Sequence, residues 1–350
     1  MMRCKAYGST SASASLSLLD IERRDMGPLD ILVEILFCGV CHSDLHIAKN
    51  EWGHTQYPVV PGHEIIGKII GLGTNVQKHK LGDIVGIGCI VGSCGNCPSC
   101  SSHLEQYCDQ GFTLVFNSTD KHSGITNFGG FSKQIVVSEK YAVNIPSSLQ
   151  QHLPRVAPLL CAGITTYSPL SNWKVSNKTK CAIIGLGGLG HMALKLAKAM
   201  QAHTTIFTSS SSKILEALRL GADECIVTSD KDSMKQQEGK YDFILNTISS
   251  DHNLQSFLSL LKRDGSMCMV GLPGSPYREL CMDSLIHKRL SLCGSLIGSI
   301  KETEEMLNFC AQHNILAEVE VIPVQDINIA FERMKQGDIK FRFVVDMNSL

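Results

Sequence analysis

The feature that most constrains this chain is the hexapeptide Gly185-Leu186-Gly187-Gly188-Leu189-Gly190. It follows a short apolar run, residues 180–184, and leads into a segment where Leu189, Met192, Ala193, Leu196, Ala197 and Met200 recur at helical spacing. Strand, glycine turn and buried helix in that order form the start of a βαβ unit that binds a dinucleotide. Gly185 permits the tight turn, Gly187 lets backbone N–H groups approach a pyrophosphate, and Gly190 lets helix and strand pack closely. The helix N-terminus adds partial positive charge. A glycine-rich turn without a ligand is the competing reading; the strand before it and the helix after it favour the nucleotide.

The next strand of such a unit ends in Asp or Glu where the ribose 2′-hydroxyl is to be bound. Here Thr208, Ser209, Ser210, Ser211 and Ser212 lead into Lys213. Hydroxyls and a cation, with no carboxylate, suit a 2′-phosphate, and one charge-assisted hydrogen bond contributes roughly 1.5–3 kcal/mol. Thr208, Ser209, Ser210 and Lys213 therefore predict NADP(H). The alternative makes Lys213 a solvated residue in the first turn of the following helix.

Around this unit the texture changes. From residue 31 to about 143 the pattern is short β-branched runs, 31–37, 65–72, 84–90 and 133–137, broken by Gly and Pro. From about residue 158, strands (180–184, 204–208, 243–246, 267–271) alternate with helices (189–200, 213–220), which predicts a parallel sheet. A helix at 302–312 and a last strand at 341–346 return to the β-rich part. For 350 residues this gives an α/β chain with a doubly wound parallel domain, 156–297, set into a β-rich domain, 1–155 and 298–350. Formal net charge is −1, with no basic stripe for nucleic acid and no polybasic segment for a membrane, so the expected partner is a small molecule. The absence of a long apolar run predicts a cytoplasmic enzyme, and the serine-rich patch at 9–17 reads as a surface loop.

Fifteen cysteines in such a chain point to metal or chemistry more than to disulfides. Cys94, Cys97, Cys100 and Cys108 stand in C-x2-C-x2-C-x7-C spacing on one loop, which reads as a closed structural zinc site. An iron–sulfur cluster would need electron-transfer partners that nothing in the chain suggests. Cys181, Cys268 and Cys293 sit among apolar residues and read as small buried hydrophobes. A second constellation is scattered: residues 39–46 with Cys41, His42, Ser43, Asp44 and His46; Gly62-His63-Glu64; and Leu160-Cys161-Ala162-Gly163. Singly, each is a weak signal.

Together these segments resemble the zinc-containing medium-chain alcohol dehydrogenases, and within them the cinnamyl alcohol dehydrogenase-like aldehyde reductases. The resemblance rests on residues 62–67 with Gly73 and Val76, on 41–46 with Glu51 and Trp52, and on 157–167. It implies a GroES-like catalytic domain beside the Rossmann domain, two zinc ions and NADP(H). It implies that Cys41, His63 and Cys161 bind the catalytic zinc, that Glu64 stands in during ligand exchange, and that Asp44 orients His63. Ser43, also a cofactor contact, would pass the proton from the substrate oxygen through the cofactor ribose towards His46 and solvent. Thr165, Thr247, Gly271, Ser295, Leu296 and Ile297 would contact the cofactor, His42 and Arg342 its pyrophosphate, and Trp52 would wall the substrate pocket.

The implied activity is reversible hydride transfer between NADP(H) and an aldehyde or primary alcohol, mainly as reduction, in a homodimer pairing through 291–297. The competing readings are an NAD-dependent primary alcohol or polyol dehydrogenase, a zinc-free quinone reductase, and a non-catalytic zinc and NADP(H) binder. Two features are individual. Gln201 stands where relatives usually have Gly, at a turn that calls for positive φ, and the loop 111–130 follows the cysteine loop where it can shape the pocket.

Overall fold

The computed structural model describes residues 1–120, 124–272 and 280–350, so residues 121–123 of the loop at 111–130 lie outside the described part. The chain divides into two compact units, Met1–Cys161 with Gly298–Leu350, and Ala162–Ile297. Among the described residues no helix is long and apolar enough to cross a membrane.

The unit Ala162–Ile297 carries six parallel strands. In sheet order they are Glu224–Val227, His203–Thr208, Lys180–Ile184, Tyr241–Asn246, Leu261–Met269 and Ser291–Gly294. Numbered along the chain this order is 3-2-1-4-5-6, the doubly wound arrangement whose direction reverses beside Lys180–Ile184. Cys181, Ala182, Ile183 and Ile184 are fully buried, as strands covered on both faces must be. Phe207 meets Tyr241 and Phe257 edge-on, at 5.6 and 6.1 Å between centroids, and the Tyr241 hydroxyl is satisfied by Gln237 at 2.8 Å.

The other unit is built on a mixed sheet ordered Val319–Pro323, Arg342–Asp346, Asp30–Val40, Glu64–Leu72, Ile84–Ile87 and Val143–Asn144, with Gln134–Ser138 also paired to Asp30–Val40. Asp30–Val40 and Glu64–Leu72 run antiparallel with Gly39 opposite Glu64. On its other edge the same strand meets the C-terminal strand, with Val40 opposite Phe343. That register brings Cys41, His63, Glu64 and Arg342 to one end of the sheet. The C-terminal segment thus completes this unit.

Several boundaries differ from the sequence pattern. The run at 84–90 is two strands, Ile84–Ile87 and Ile90–Gly92, in different sheets. The strand expected at 267–271 starts earlier and stops at Met269, and the one expected across 291–297 ends at Gly294. Cys181 and Cys268 are fully buried as expected, but Cys293 is only half-buried, because its strand is the sheet edge.

Gln201 adopts φ +66° after the helix Gly188–Ala199. Its N–H donates to Lys198 O at 2.9 Å and that of Ala202 to Ala197 O at 3.0 Å. These are the two bonds of a Schellman stop, made here without the usual glycine. Relief of the left-handed Cβ penalty, partly offset by unfolded-chain entropy, predicts that Gln201→Gly stabilises by about 0.5–1 kcal/mol. Scanning calorimetry should show the midpoint rising by about 1–3 °C; an unchanged or lower midpoint would mean that Gln201 makes compensating contacts.

Candidate metal centres and nucleotide cradle

Cys94, Cys97, Cys100 and Cys108 converge with all four Sγ atoms within 4.8 Å of one another. Cys94–Cys100 and Cys97–Cys108 are 3.9 and 4.0 Å apart, and all four are free thiols. Four sulfurs at about 2.3 Å from a tetrahedral zinc stand about 3.8 Å from each other, so the spacing fits a metal and is far too long for disulfides. Backbone N–H groups of Cys94, Cys100 and Asp109 donate to Cys108, Cys97 and Cys97 sulfurs at 3.4 Å, favouring thiolates. The Cys94 amide in particular holds the Cys108 thiol below its ordinary range.

The scattered residues also converge. Cys41, His63, Glu64 and Cys161 bring one ligand atom each within 4.8 Å of the others, all inside the unit Met1–Cys161 with Gly298–Leu350. Cys41 and Cys161 sulfurs are 4.0 Å apart, and His63 Nε2 is 3.3 Å from Cys161 Sγ. Asp44, fully buried, fixes this geometry. Its Oδ2 accepts the Cys41 N–H at 2.8 Å, while Oδ1 accepts from Gly62 N–H at 2.9 Å and from His63 Nδ1 at 3.0 Å. Nδ1 then carries the proton, and Nε2 turns its lone pair to the thiols.

The groups of this cluster perturb one another: hydrogen bonds with Cys41 and Cys89, and then burial, push the Cys161 thiol well above its ordinary range. The hydrogen bond from Cys161 lowers Cys41 well below the ordinary thiol range against the opposing effect of burial, and Arg342 assists. Burial disfavours charge on His63, yet Asp44 lifts it well above the usual imidazole value. Burial pushes Glu64 up to about 8, with Arg342 opposing. Both Glu64 oxygens are buried without a hydrogen-bond donor, and the Arg342 guanidinium stands 3.3 Å from Oε1. An orphaned carboxylate beside two thiols and an imidazole nitrogen is a donor set for zinc. Arg342, expected at the pyrophosphate, is buried with its guanidinium 3.3 Å from Glu64. His42 is exposed.

Ser43 Oγ lies 3.8 Å from Cys41 Sγ. Ser43 and His46 are three apart on the helix His42–Ala48 and so share a face. His46 Nδ1 is bonded to Glu51, and its ring is 5.1 Å from Trp52, which stacks on His54 at 6.2 Å. Three contacts escaped the sequence reading. Glu51 was noted only as part of a motif, yet it is the partner of His46. Phe116, from the loop after the cysteines, stacks on His63 at 5.7 Å, so that loop does reach the metal site. Cys89 is held below the ordinary thiol range by its hydrogen bond from Cys161, against burial. For Phe116 no local signal exists; for Glu51 the five-residue spacing from His46 was available.

Apart from His42, Ser43 and Arg342, the residues expected at the nucleotide lie in the unit Ala162–Ile297. Gly185 has φ +95°, and a Cβ on Gly190 would stand 2.1 Å from Gly185 O, whereas one on Gly187 would meet nothing within 4 Å. Gly187 thus faces open space at the N-terminus of Gly188–Ala199, flanked by Leu186, Gly188 and Leu189, as a phosphate cradle requires. Lys213 closes a three-residue helical turn, Ser211–Lys213, and its Nζ donates to Leu186 O at 3.1 Å, so the cation sits against the glycine turn. Thr208 is buried and its Oγ1 accepts from Ser210 N–H at 3.3 Å; Ser209 is exposed, and Ser210 bonds Ser212 at 2.7 Å. Thr247 Oγ1 donates to Ile184 O at 2.7 Å, and Ser295 N–H donates to Met269 O at 3.1 Å. Thr247, Gly271 and Ser295 therefore follow the carboxyl ends of the strands, where such sheets bind ligands. Leu296 is exposed, Ile297 adopts φ +51°, and Thr165 is buried in the helix Ala162–Asn172.

Comparison with known proteins gives a consistent result. The alcohol dehydrogenase GroES-like domain matches residues 27–147 and the zinc-binding dehydrogenase domain residues 188–312. The chain is 49% identical over 349 residues to an aldehyde reductase of Escherichia coli, covering 100% of this chain and 99% of that one. It is 48% identical over 351 residues to NADP-dependent alcohol dehydrogenase C 1 of Mycolicibacterium smegmatis, covering 100% and 99%. Among solved structures it is similar to a cinnamyl alcohol dehydrogenase of Sorghum bicolor, with 41% identity, a TM-score of 0.96, and 99% and 98% of the chains covered. It is likewise similar to an enzyme of Helicobacter pylori titled CAD and complexed with NADP(H), with 40% identity, a TM-score of 0.92, and 99% of each chain covered.

The two clusters predict separable losses. Elemental analysis of Cys41→Ala should find about one zinc fewer per chain with little change in melting, because that site is not closed by local loop structure. Cys97→Ala should lose the other zinc and melt several degrees lower. Asp44→Asn, which leaves one buried donor facing another, should weaken zinc retention by about 10- to 100-fold in competition with a chelator. Equal melting losses in both cysteine variants would contradict this division.

Proposed function

The chain belongs to the zinc-containing medium-chain alcohol dehydrogenases, in their cinnamyl alcohol dehydrogenase-like branch, and from that premise we propose that Cys41, His63 and Cys161 form its catalytic centre. The chain is an oxidoreductase that carries out reversible hydride transfer between NADP(H) and aldehydes or alcohols with the help of zinc. The observation that carries the site assignment is the Cys2His donor set with a fourth, displaceable carboxylate, held by Asp44 beside Ser43. When bound there, zinc supplies Lewis acidity toward the substrate oxygen and NADPH supplies the hydride.

On this reading Ser43 gives its proton to the substrate oxygen during reduction, and His46 on the same helical face resupplies it. Glu51, bonded to His46 Nδ1, orients the imidazole and opens the line to solvent. Glu64, shared with Arg342, is the carboxylate that completes the ligand set while substrate and product exchange. Trp52 and Phe116 wall the substrate side with aromatic surface. Residues 1–161 and 298–350 hold the metals, and residues 162–297 the nucleotide, with Cys94, Cys97, Cys100 and Cys108 supporting the first part structurally. Reduction is the favoured direction, because cellular NADP pools are kept largely reduced. A cytoplasmic setting suits the free thiols, and the open edge of Ser291–Gly294 supports a homodimer formed by edge pairing, which light scattering showing only monomer would contradict.

Steady-state reduction of benzaldehyde and cinnamaldehyde tests the proposal, with NADPH and NADH compared before and after chelation. Turnover should favour NADPH and disappear with the zinc. Lys213→Ala should raise KM for NADPH about ten- to hundredfold and leave KM for NADH little changed, as the loss of one charge-assisted bond to a 2′-phosphate requires. Equal or better use of NADH by the native chain would restore the NAD-dependent primary alcohol or polyol dehydrogenase reading, and no turnover with either would favour a binding protein.

A further inference from the structure

Outside both metal clusters, two thiols meet across a strand pair. Leu261–Met269 and Ser291–Gly294 are parallel neighbours with Cys268 directly opposite Cys293. Residues in register on adjacent strands project from the same face, and neighbouring strands lie about 4.8 Å apart. That spacing falls inside the range of about 4.4–6.8 Å over which two Cα atoms accept a disulfide. Both cysteines are free. Cys268 is fully buried, and Cys293, half-buried on the sheet edge, donates its S–H to Met267 O at 3.3 Å.

The two thiols are unequal in a way that suits sequential chemistry. Cys293 is reachable, and the hydrogen bond from Cys268 lowers it below the ordinary thiol range against the effect of partial burial. Cys268 is raised, first by the same hydrogen bond and then by burial. A reachable, more acidic sulfur reacts first; a shielded neighbour already in contact resolves the product.

We propose that Cys268 and Cys293 form a cross-strand dithiol that hydroperoxides oxidise reversibly to a disulfide, with Cys293 as the attacking thiol and Cys268 as the resolving one. The Cys293 thiolate attacks the terminal peroxide oxygen; the O–O bond breaks, the alcohol or water leaves with a proton, and Cys293 becomes a sulfenic acid. Cys268 sulfur then attacks Cys293 sulfur, the S–O bond breaks, water leaves and the S–S bond forms. Two thiol hydrogens and two electrons have passed to the peroxide. An external dithiol returns the pair by exchange. The strands need no rearrangement, since the register already opposes the two residues, and backbone pairing along the strand edge with a second copy leaves the side chains on the sheet face.

The test uses the full-length, zinc-loaded, reduced protein treated with a near-stoichiometric amount of hydrogen peroxide, then alkylated and digested with trypsin. Cleavage gives peptides 264–278 and 290–301, each with one of the two cysteines and no other. The expected product is the pair 264–278 and 290–301 joined, lighter by two hydrogens, formed while zinc stays bound and lost after dithiothreitol. Cys268→Ala should stop at a Cys293 sulfenic acid captured by dimedone. Cys293→Ser should slow loss of the Cys268 thiol by about tenfold or more. The proposal fails if both peptides are recovered fully alkylated while other cysteines oxidise or zinc is released. It also fails if Cys268 oxidises equally fast in Cys293→Ser.

Discussion

The contact on which the proposed catalytic site depends is the buried carboxylate of Asp44. A carboxylate taken out of water is destabilised by several kcal/mol unless fixed donors replace its hydration. Asp44 receives three, from the Cys41 and Gly62 amides and from His63 Nδ1. These donors belong to separate pieces of chain: the end of the long strand Asp30–Val40 and the loop before Glu64–Leu72. One side chain therefore ties down two metal ligands and sets the tautomer of the second. It also explains why the helix His42–Ala48 begins where it does, since Asp44 accepts from the backbone of its N-cap residue and so caps the same turn that carries Ser43.

Charge balance in the site follows from that arrangement. Arg342 enters from the C-terminal strand, opposite Val40 and Gly39 through its neighbours Phe343 and Val344, and meets Glu64 in a buried pair. Burial raises Glu64 to about 8 even with Arg342 opposing. The guanidinium keeps an anionic form within reach, and it also favours the Cys41 thiolate. The last strand of the chain thus carries an electrostatic duty at a site whose ligands come from far earlier in the sequence, which is a physical reason for the segment after 298 to return to the first unit.

What the sequence revealed tracks how local each feature is. The four-cysteine loop spans Cys94 to Cys108 and the glycine turn spans six residues, so spacing alone exposes their chemistry. The parallel sheet was legible because strands buried on both faces read as unbroken apolar runs. Strand ends were less so: Gly88 and Cys89 divide the run 84–90, and a side chain at Gly88 would stand 3.0 Å from Leu160 O. Tertiary neighbours were invisible. Nothing near Phe116 announces that it covers His63, nothing near Cys89 announces Cys161, and nothing near Arg342 announces Glu64. Gln201 shows the reverse case, where a residue that resists positive φ was expected to complete the turn and does so with both Schellman bonds intact.

The two metal clusters share sulfur donors yet suit opposite tasks, and their donor charges say why. Four thiolates around a divalent ion carry a net charge of about −2, saturate its coordination and remove its appetite for an oxygen ligand. Cys41 and Cys161 as thiolates with neutral His63 bring the net charge close to zero and leave a position open, so the ion stays electron-poor. Glu64 is a further ligand in reach, and Arg342 competes for it. The closed cluster is drawn from one loop, whose short closure carries a small entropy cost. The open one is drawn from residues 41, 63, 64 and 161, far apart in the chain, so no local collapse supplies a third thiolate. Cys89, in contact with Cys161, is the nearest candidate to do so. It lies just before the strand Ile90–Gly92 and outside the group of four residues whose ligand atoms are within 4.8 Å of one another.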